Sequence, residues 1–175
     1  RNISNNIRKS SQATLDYFDA VVEQYQHGKT NSIAYRQSRR LAHNAHIDLS
    51  SMISSLSTEP NPNPDLIHNA FRYLVYSHSQ LSYVSALGSH REKIDDNEVL
   101  DLMLWCKQLL NDALLNQVSL DQTLITQKLN DIHQLSEQDH LPDHLQLALK
   151  QISLLLETLP ELVRLKTALL KLEIK

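Results

Sequence analysis

Apolar residues recur every three to four positions along almost the whole chain, which is the spacing of one face of an α-helix. The first apolar stripe ends before Gly28, and the second follows Thr30 or Asn31, either of which can cap a helix N-terminus. The first stripe consists of Ile7, Leu15, Phe18, Val21, Val22 and Tyr25, and the second of Leu41, Ala42, Ala45, Leu49, Met52, Ile53 and Leu56. Two long amphipathic helices are therefore predicted at the start of the chain.

The segment 58–64 separates the second helix from a third, because its three alternate prolines cannot continue a helix. The third helix has a strong start signal: Asn63 can cap it, Pro64 has a φ angle preset for the first helical position, and Asp65 places an acid near the positive end of the helix. The third helix has apolar residues on several sides, which predicts a central position, and Gly88 is expected to end it. Its apolar residues include Ile67, Phe71, Leu74, Val75, Leu81 and Val84.

Two further helices are predicted from their N-terminal capping patterns. Asp95 and Glu98 fit the capping box of a fourth helix. Ser119 and Gln122 fit that of a fifth helix, with Leu124 turned inward.

The sixth predicted helix begins near Pro142 and is rich in leucine to the end of the chain. Pro160 lacks a backbone donor, so we expect it to kink or split this helix, with Thr158 and Glu161 as the capping box of a separate last piece. Near the end of this helix, successive leucines are spaced three, four and three positions apart, namely Leu162, Leu165, Leu169 and Leu172. We favour packing of these leucines inside the bundle over a seam between two copies of the chain.

The predicted fold is thus all-α, an antiparallel bundle of about six helices. We interpret residues 1–175 as a single soluble helical domain, with sub-bundles over 1–93 and 94–175 as a finer division. The chain begins with Arg rather than Met, and we expect it to be a fragment of a larger membrane protein.

Composition excludes several functional classes. The 175 residues include two glycines, so a Gly-rich phosphate loop is absent, and the single cysteine excludes a disulfide framework or a multi-cysteine zinc site. Residues 1–93 hold ten Lys/Arg and seven Asp/Glu, whereas residues 94–175 hold seven and thirteen. No basic stripe with interleaved aromatic residues runs through the sequence, so we expect no nucleic-acid partner.

Candidate chemistry is sparse. His43 and His46 are three positions apart on the second helix and, with His78, could form a three-nitrogen metal site. The alternative is that His78 lies in an apolar stripe, hydrogen-bonded as buried histidines usually are. Cys106 follows Trp105 in an apolar helix, which favours a buried, unreactive thiol. We therefore expect no catalytic residues, no bound metal and no cofactor.

Four sequence blocks within residues 35–92 resemble the YccS/YhfK family. They are Tyr35-Arg36-x-x-Arg39-Arg40-x-Ala42-His43-Asn44-Ala45 followed by x-x-x-Leu49-Ser50, Glu59-Pro60, Phe71-Arg72-Tyr73-Leu74 followed by Ser77-His78, and Leu81-Ser82-Tyr83-Val84-Ser85-Ala86-Leu87-Gly88-x-His90-Arg91-Glu92. Members of this family resemble bacterial inner-membrane proteins of the fusaric-acid-resistance type, which are related to aromatic acid exporters. The resemblance implies an efflux-type transport protein and supplies no catalytic residue.

From this resemblance we expect the chain to be a non-catalytic, cytoplasmic region at the bacterial inner membrane, acting in oligomer assembly or in regulation. Its expected partners are the transmembrane part of the same chain and further copies of itself. The alternative is a ligand-sensing module for a small carboxylate or an anionic lipid head group. The residues assigned to that anion pocket are Arg36, Arg39, Arg40, His43, His78 and Arg91.

The competing interpretation of these basic residues is structural. Arg39 and Arg72 could instead pair with Asp48, Glu59 or Asp65 and hold the helices together.

Overall fold

The computed structural model describes residues 3–29, 32–90 and 92–174, and all regular structure in these ranges is α-helical. The six helices of these ranges are α1 (Ile3–His27), α2 (Ser32–Leu56), α3 (Pro64–Ser89), α4 (Asn97–Leu114), α5 (Gln122–Ser136) and α6 (Asp143–Ile174). The prediction of an all-α fold with about six helices is confirmed.

Side-chain contacts establish that the first two helices are antiparallel neighbours. Asn6 donates to the Met52 sulfur at 3.2 Å near one end of the pair. Tyr17 contacts Tyr35 near the other end, with ring centroids 5.8 Å apart. α1 packs mainly against α2, and α3 mainly against α6, while α4 packs against both α1 and α6. The division into sub-bundles over 1–93 and 94–175 stays a prediction.

α6 runs without interruption through Pro160. Of the two predicted effects of this proline, the split with Thr158 capping a separate last helix is wrong, and a kinked but unbroken helix is the alternative that remains. The hydroxyl of Thr158 donates to the Leu154 carbonyl at 2.7 Å instead of capping a new helix. The buried amide of Gln80 on α3 donates to the Leu155 carbonyl at 3.1 Å and to the Thr158 hydroxyl at 2.6 Å. These hydrogen bonds lie in the turns just before Pro160, whose missing N–H would otherwise donate to the Leu156 carbonyl.

The leucine spacing at the end of α6 belongs to the interior of this chain. Leu162, Leu165 and Leu169 are all buried. The prediction of packing within the bundle is therefore confirmed for these three leucines, whereas Leu172 is only partly buried.

Helix ends agree with the sequence signals at two places. α1 ends before Gly28, whose φ of +81° suits glycine. Asn63 caps α3 by accepting from the backbone N–H groups of Asp65 at 3.0 Å and Leu66 at 3.2 Å. The predicted cap of α2 at Thr30 or Asn31 lies outside the described residues.

Three predicted ends are wrong. α4 is capped by Asp96 rather than Asp95, and α5 by Asp121 rather than Ser119. In each case an aspartate nearer the helix accepts from the backbone N–H three residues on, and aspartate caps as well as serine. α3 continues past Gly88 to Ser89.

Four residues predicted to face inward are exposed, namely Leu41, Phe71, Val75 and Leu124. The outer sides of these helices lack a covering helix among the described residues, so part of each apolar stripe meets solvent. His78, assigned to a buried stripe, is also exposed. No helix in the described ranges is long and apolar enough to cross a lipid bilayer.

Candidate functional site

Polar side chains of α1, α2 and α3 meet where the three helices pack together. α2 contributes one face because residues separated by three or four positions share a side of a helix. α1 and α3 supply the remaining members. We call this set the three-helix polar cluster; it consists of Tyr17, Tyr35, Arg39, His43, His46, His78 and Ser85.

Two buried tyrosines form the inner end of the cluster. The hydroxyl oxygens of Tyr17 and Tyr35 are 3.5 Å apart, and the Tyr17 hydroxyl donates to the Ser85 hydroxyl at 3.5 Å. Burial raises the pKa of Tyr17 to about 12, although its hydrogen bond to Ser85 and the positive charge of Arg39 act in the opposite direction. Tyr17 is therefore a neutral hydrogen-bonding group at physiological pH.

Gly88 makes room for these tyrosines against α3. A Cβ atom at this position would lie 2.5 Å from the Tyr35 hydroxyl and 3.3 Å from the Tyr17 hydroxyl. Carbon and oxygen atoms do not approach this closely without a bond, so a side chain here would displace Tyr35. The glycine expected to end a helix instead permits close approach between helices.

Histidines form the outer end of the cluster. The rings of His46 and His78 lie 5.2 Å apart between centroids, and those of Tyr17 and His43 lie 6.4 Å apart. Burial lowers the pKa of His46, and the neighbouring imidazoles of His78 and His43 lower it further. Its buried Nδ1 has no hydrogen-bond partner among the described residues.

The pKa of His43 is lowered by the same kinds of neighbour. Burial is the largest cause that lowers the pKa of His43, and the charges of Arg39 and His78 lower it further. The neighbouring positive groups thus disfavour protonation of His43 and His46, and a bound anion would favour it. The cluster can thus supply a guanidinium, imidazoles and hydroxyl groups to a carboxylate or phosphate.

The metal alternative receives no support from the geometry. No group of three His, Cys, Asp or Glu residues within the described part of the chain is placed to hold a metal ion. His43, His46 and His78 lie near one another without forming such a set.

The structure divides the predicted anion pocket into two parts. Arg39, His43 and His78 belong to the three-helix polar cluster. All three arginines are exposed, but only the charge of Arg39 acts on the pKa of Tyr17 and of His43. With about 100° of rotation per residue, Arg36 and Arg40 lie about 60° and 100° around α2 from Arg39. Arg36 donates to the Ser32 carbonyl of its own helix at 3.3 Å. Arg91 lies outside the described residues.

Tyr17, Tyr35 and Ser85 were missing from the candidate residues. Tyr35 and Ser85 stand inside the sequence blocks quoted above, which is the signal that could have identified them. Tyr17 lies outside every block, and only the packing of α1 brings it to the cluster.

The ion-pair alternative names the wrong partner for Arg72. Its guanidinium donates to the Glu161 carboxylate on α6 at 3.1 Å, rather than to Asp48, Glu59 or Asp65. Glu161 also accepts two hydrogen bonds from Arg164. The group is largely exposed, so it contributes little to stability.

Cys106 is fully buried in α4, and burial raises the pKa of its thiol. An unionised thiol without access to solvent cannot act as a nucleophile on a substrate.

The chain is similar to two curated bacterial proteins. It is 36% identical over 168 residues, 95% of its length, to Inner membrane protein YccS of Escherichia coli (strain K12), and it spans 23% of that relative. It is 35% identical over 78 residues, 45% of its length, to an uncharacterized protein of Haemophilus influenzae, of which it spans 11%. No protein-family model and no solved structure matches the chain.

Proposed function

Because this chain belongs to the YccS family of bacterial inner-membrane proteins, we propose that it is a cytoplasmic helical module of an efflux-type transporter. In this proposal the module catalyses no reaction and either joins protomers or regulates the membrane-embedded part of the same protein. The observation that carries the proposal is the 36% identity across 95% of the chain to a relative named as an inner membrane protein.

The packing supports a role as a separate module. The described helices enclose a core of their own, in which Phe18, Leu49, Met103 and Leu155 are inaccessible to solvent. The outer face of α3 exposes Phe71, and exposed apolar residues commonly occur at contacts with other proteins. A module with its own core and an uncovered face is suited to assembly.

The placement is tested in the full-length protein by fusing a reporter to the end of this region. A cytoplasmic module gives a fluorescent green fluorescent protein fusion and an inactive alkaline phosphatase fusion. An active alkaline phosphatase fusion together with a non-fluorescent green fluorescent protein fusion would overturn the cytoplasmic placement.

The role is tested by deleting the region from the full-length protein. We expect the truncated protein to reach the membrane, measured by immunoblot, but to lose resistance to aromatic carboxylates such as fusaric acid or to lose crosslinked oligomers. Unchanged resistance and unchanged crosslinking at equal membrane levels would contradict both assembly and regulation.

A second candidate function is the sensing of a small anion. The observation that favours it is the ring contacts of His46 with His78 and of His43 with Tyr17, with the charge of Arg39 close enough to lower the pKa of His43. An anion bound there would be stabilised by the guanidinium and would favour protonation of the imidazoles.

Thermal unfolding with benzoate and with inorganic phosphate tests the sensor. A bound ligand raises the melting temperature of the native chain. Arg39→Gln should abolish this rise, whereas the matched control Arg40→Gln, with the same charge change on the outer face of α2, should retain it. The absence of any rise, or an equal loss in both variants, would remove this candidate.

A further inference from the structure

The outward side of α2 carries a stripe of two basic residues between two apolar residues, none of which belongs to the three-helix polar cluster. We call it the α2 outer stripe; it consists of Ile33, Arg36, Arg40 and Ile47. At about 100° per residue these four positions fall within about 60° of arc. They extend over about 21 Å of the helix at 1.5 Å per residue. The stripe therefore extends along about half of α2, with a gap of about 10 Å between Arg40 and Ile47.

All four side chains of the stripe are available to a partner. Ile33 is 71% exposed and Ile47 is 59% exposed, which is unusual for isoleucine. Arg36 and Arg40 are exposed as well. The bond from Arg36 to the Ser32 carbonyl uses one of the five N–H donors of its guanidinium.

The charge of the stripe is opposite to that of the chain as a whole. The chain has a formal net charge of −3, yet α2 contains three arginines and one acid, Asp48. Asp48 lies about 120° around the helix from Arg36, and about 80° around and about 12 Å along the helix from Arg40, so it pairs with neither arginine of the stripe. The stripe thus presents a local positive surface flanked by isoleucine.

We propose that the α2 outer stripe binds the anionic surface of a phospholipid bilayer. Arginine pairs with phosphate through parallel N–H···O bonds, and the two isoleucines can enter the boundary between head groups and acyl chains. The similarity to an inner membrane protein is what selects a bilayer over other anionic partners. The inference rests on the membrane location in the proposed function and is independent of transport.

The single buried cysteine permits a position-specific test. Cys106 is inaccessible, so a cysteine introduced on the surface can be labelled alone with an environment-sensitive fluorophore. We would label Ile47→Cys on the stripe and, as a matched control, Leu147→Cys on α6, where the native side chain is 48% exposed. Each is mixed with vesicles of phosphatidylcholine alone or with one-third phosphatidylglycerol.

The expected result is a blue shift and an intensity increase for the Ile47→Cys label with the phosphatidylglycerol vesicles only. An arginine near an anionic surface contributes about 1 kcal/mol, or about fivefold in partitioning. The double variant Arg36→Gln/Arg40→Gln should therefore partition about 25-fold less. The matched control Lys150→Gln/Lys171→Gln, which removes two exposed charges from α6, should partition as the native chain does.

Three outcomes would overturn the inference. They are no response at either label, an equal response at both labels, and a response that Arg36→Gln/Arg40→Gln leaves unchanged. A response to phosphatidylcholine alone would also count against it, because the arginines would then have no role. Concentration-dependent self-association that protects the Ile47→Cys label without vesicles would assign the stripe to a second copy instead. None of these outcomes bears on the reporter fusions or the deletion, which test the proposed function separately.

Discussion

Replacing Gly88 by alanine should destabilise the chain even though alanine is the better helix former. The new Cβ atom would lie 2.5 Å from the Tyr35 hydroxyl, so the buried tyrosine or the helix must move. Tyr35 is 5% exposed and contacts the ring of Tyr17, which leaves little space for the movement. The variant therefore tests whether the close approach of α2 and α3 depends on glycine.

The magnitude follows from two opposing effects. Overpacking a core costs typically about 1–3 kcal/mol. Alanine gains up to about 1 kcal/mol over glycine in a helix interior, and less at Gly88, which is the second-last residue of α3. We expect a net loss of about 1–2 kcal/mol in the free energy of unfolding, with a melting temperature lower by about 2–4 °C per kcal/mol for a chain of this size.

A double-mutant cycle identifies the atom responsible. Tyr35→Phe removes the oxygen and leaves a ring carbon 3.3 Å from the new Cβ atom. Gly88→Ala should be neutral within about 0.5 kcal/mol in that background, giving a coupling of about 1–2 kcal/mol in urea titrations. Ala86→Gly on the same helix measures how much the free energy of unfolding changes through the helix propensities of alanine and glycine alone. A stabilising Gly88→Ala, or an equal cost in both backgrounds, would refute the reasoning.

Further predictions concern single residues of the core and the cluster. Burial and the imidazoles of its neighbours lower the pKa of His46. As the pH drops below about 6.5, the unfolded chain therefore takes up a proton at this residue before the folded chain does, and the free energy of unfolding falls. Urea titrations on either side of this pH should show a smaller fall for His46→Gln than for the native chain. Lys166 donates to the Leu114 carbonyl at the end of α4, and Lys166→Met should lose about 1–2 kcal/mol in the same titration, whereas no loss would show that the bond is unimportant. Leu155→Ala should cost about 2–5 kcal/mol, because the side chain is fully buried; a cost below 1 kcal/mol would mean that the core relaxes around it. Cys106 should react with iodoacetamide only in denaturant, and rapid reaction of the native chain, followed by mass spectrometry, would contradict its burial.

Local signals in the sequence were sufficient for the helices and for some of their ends. Asn63 followed by proline, and Gly28 after an apolar stripe, each determine a boundary through atoms within a few residues. Asp95 and Asp96 show the limit, since both can cap and the capping pattern alone does not choose between adjacent acids. Phe71 and Val75 show another limit, because periodicity locates an apolar stripe without revealing which part a neighbouring helix covers.

The candidate site was predictable only in part, for a geometric reason. Arg36, Arg39 and Arg40 are equivalent as sequence, and the rotation of α2 against α3 decides which of them joins the histidines. The charge of Arg39 acts on Tyr17 and His43, which places Arg39 beside the cluster, whereas the other two arginines lie about 60° and 100° farther around the helix. Tyr17 and Ser85 are 68 positions apart, so their hydrogen bond depends on the packing of α1 beside α3 and on no local pattern.

The attachment of α5 allows this helix to unfold locally more easily than the rest of the chain. α5 packs mainly on α6, with Lys128 also held 5.2 Å from the centroid of the Trp105 ring of α4. A helix secured chiefly on one side can detach while the remaining core stays closed, so its amide protons should exchange with solvent before those of α1 or α6. The connections before and after α5 are consequently the places where a protease should cut first and where an inserted epitope should be tolerated best.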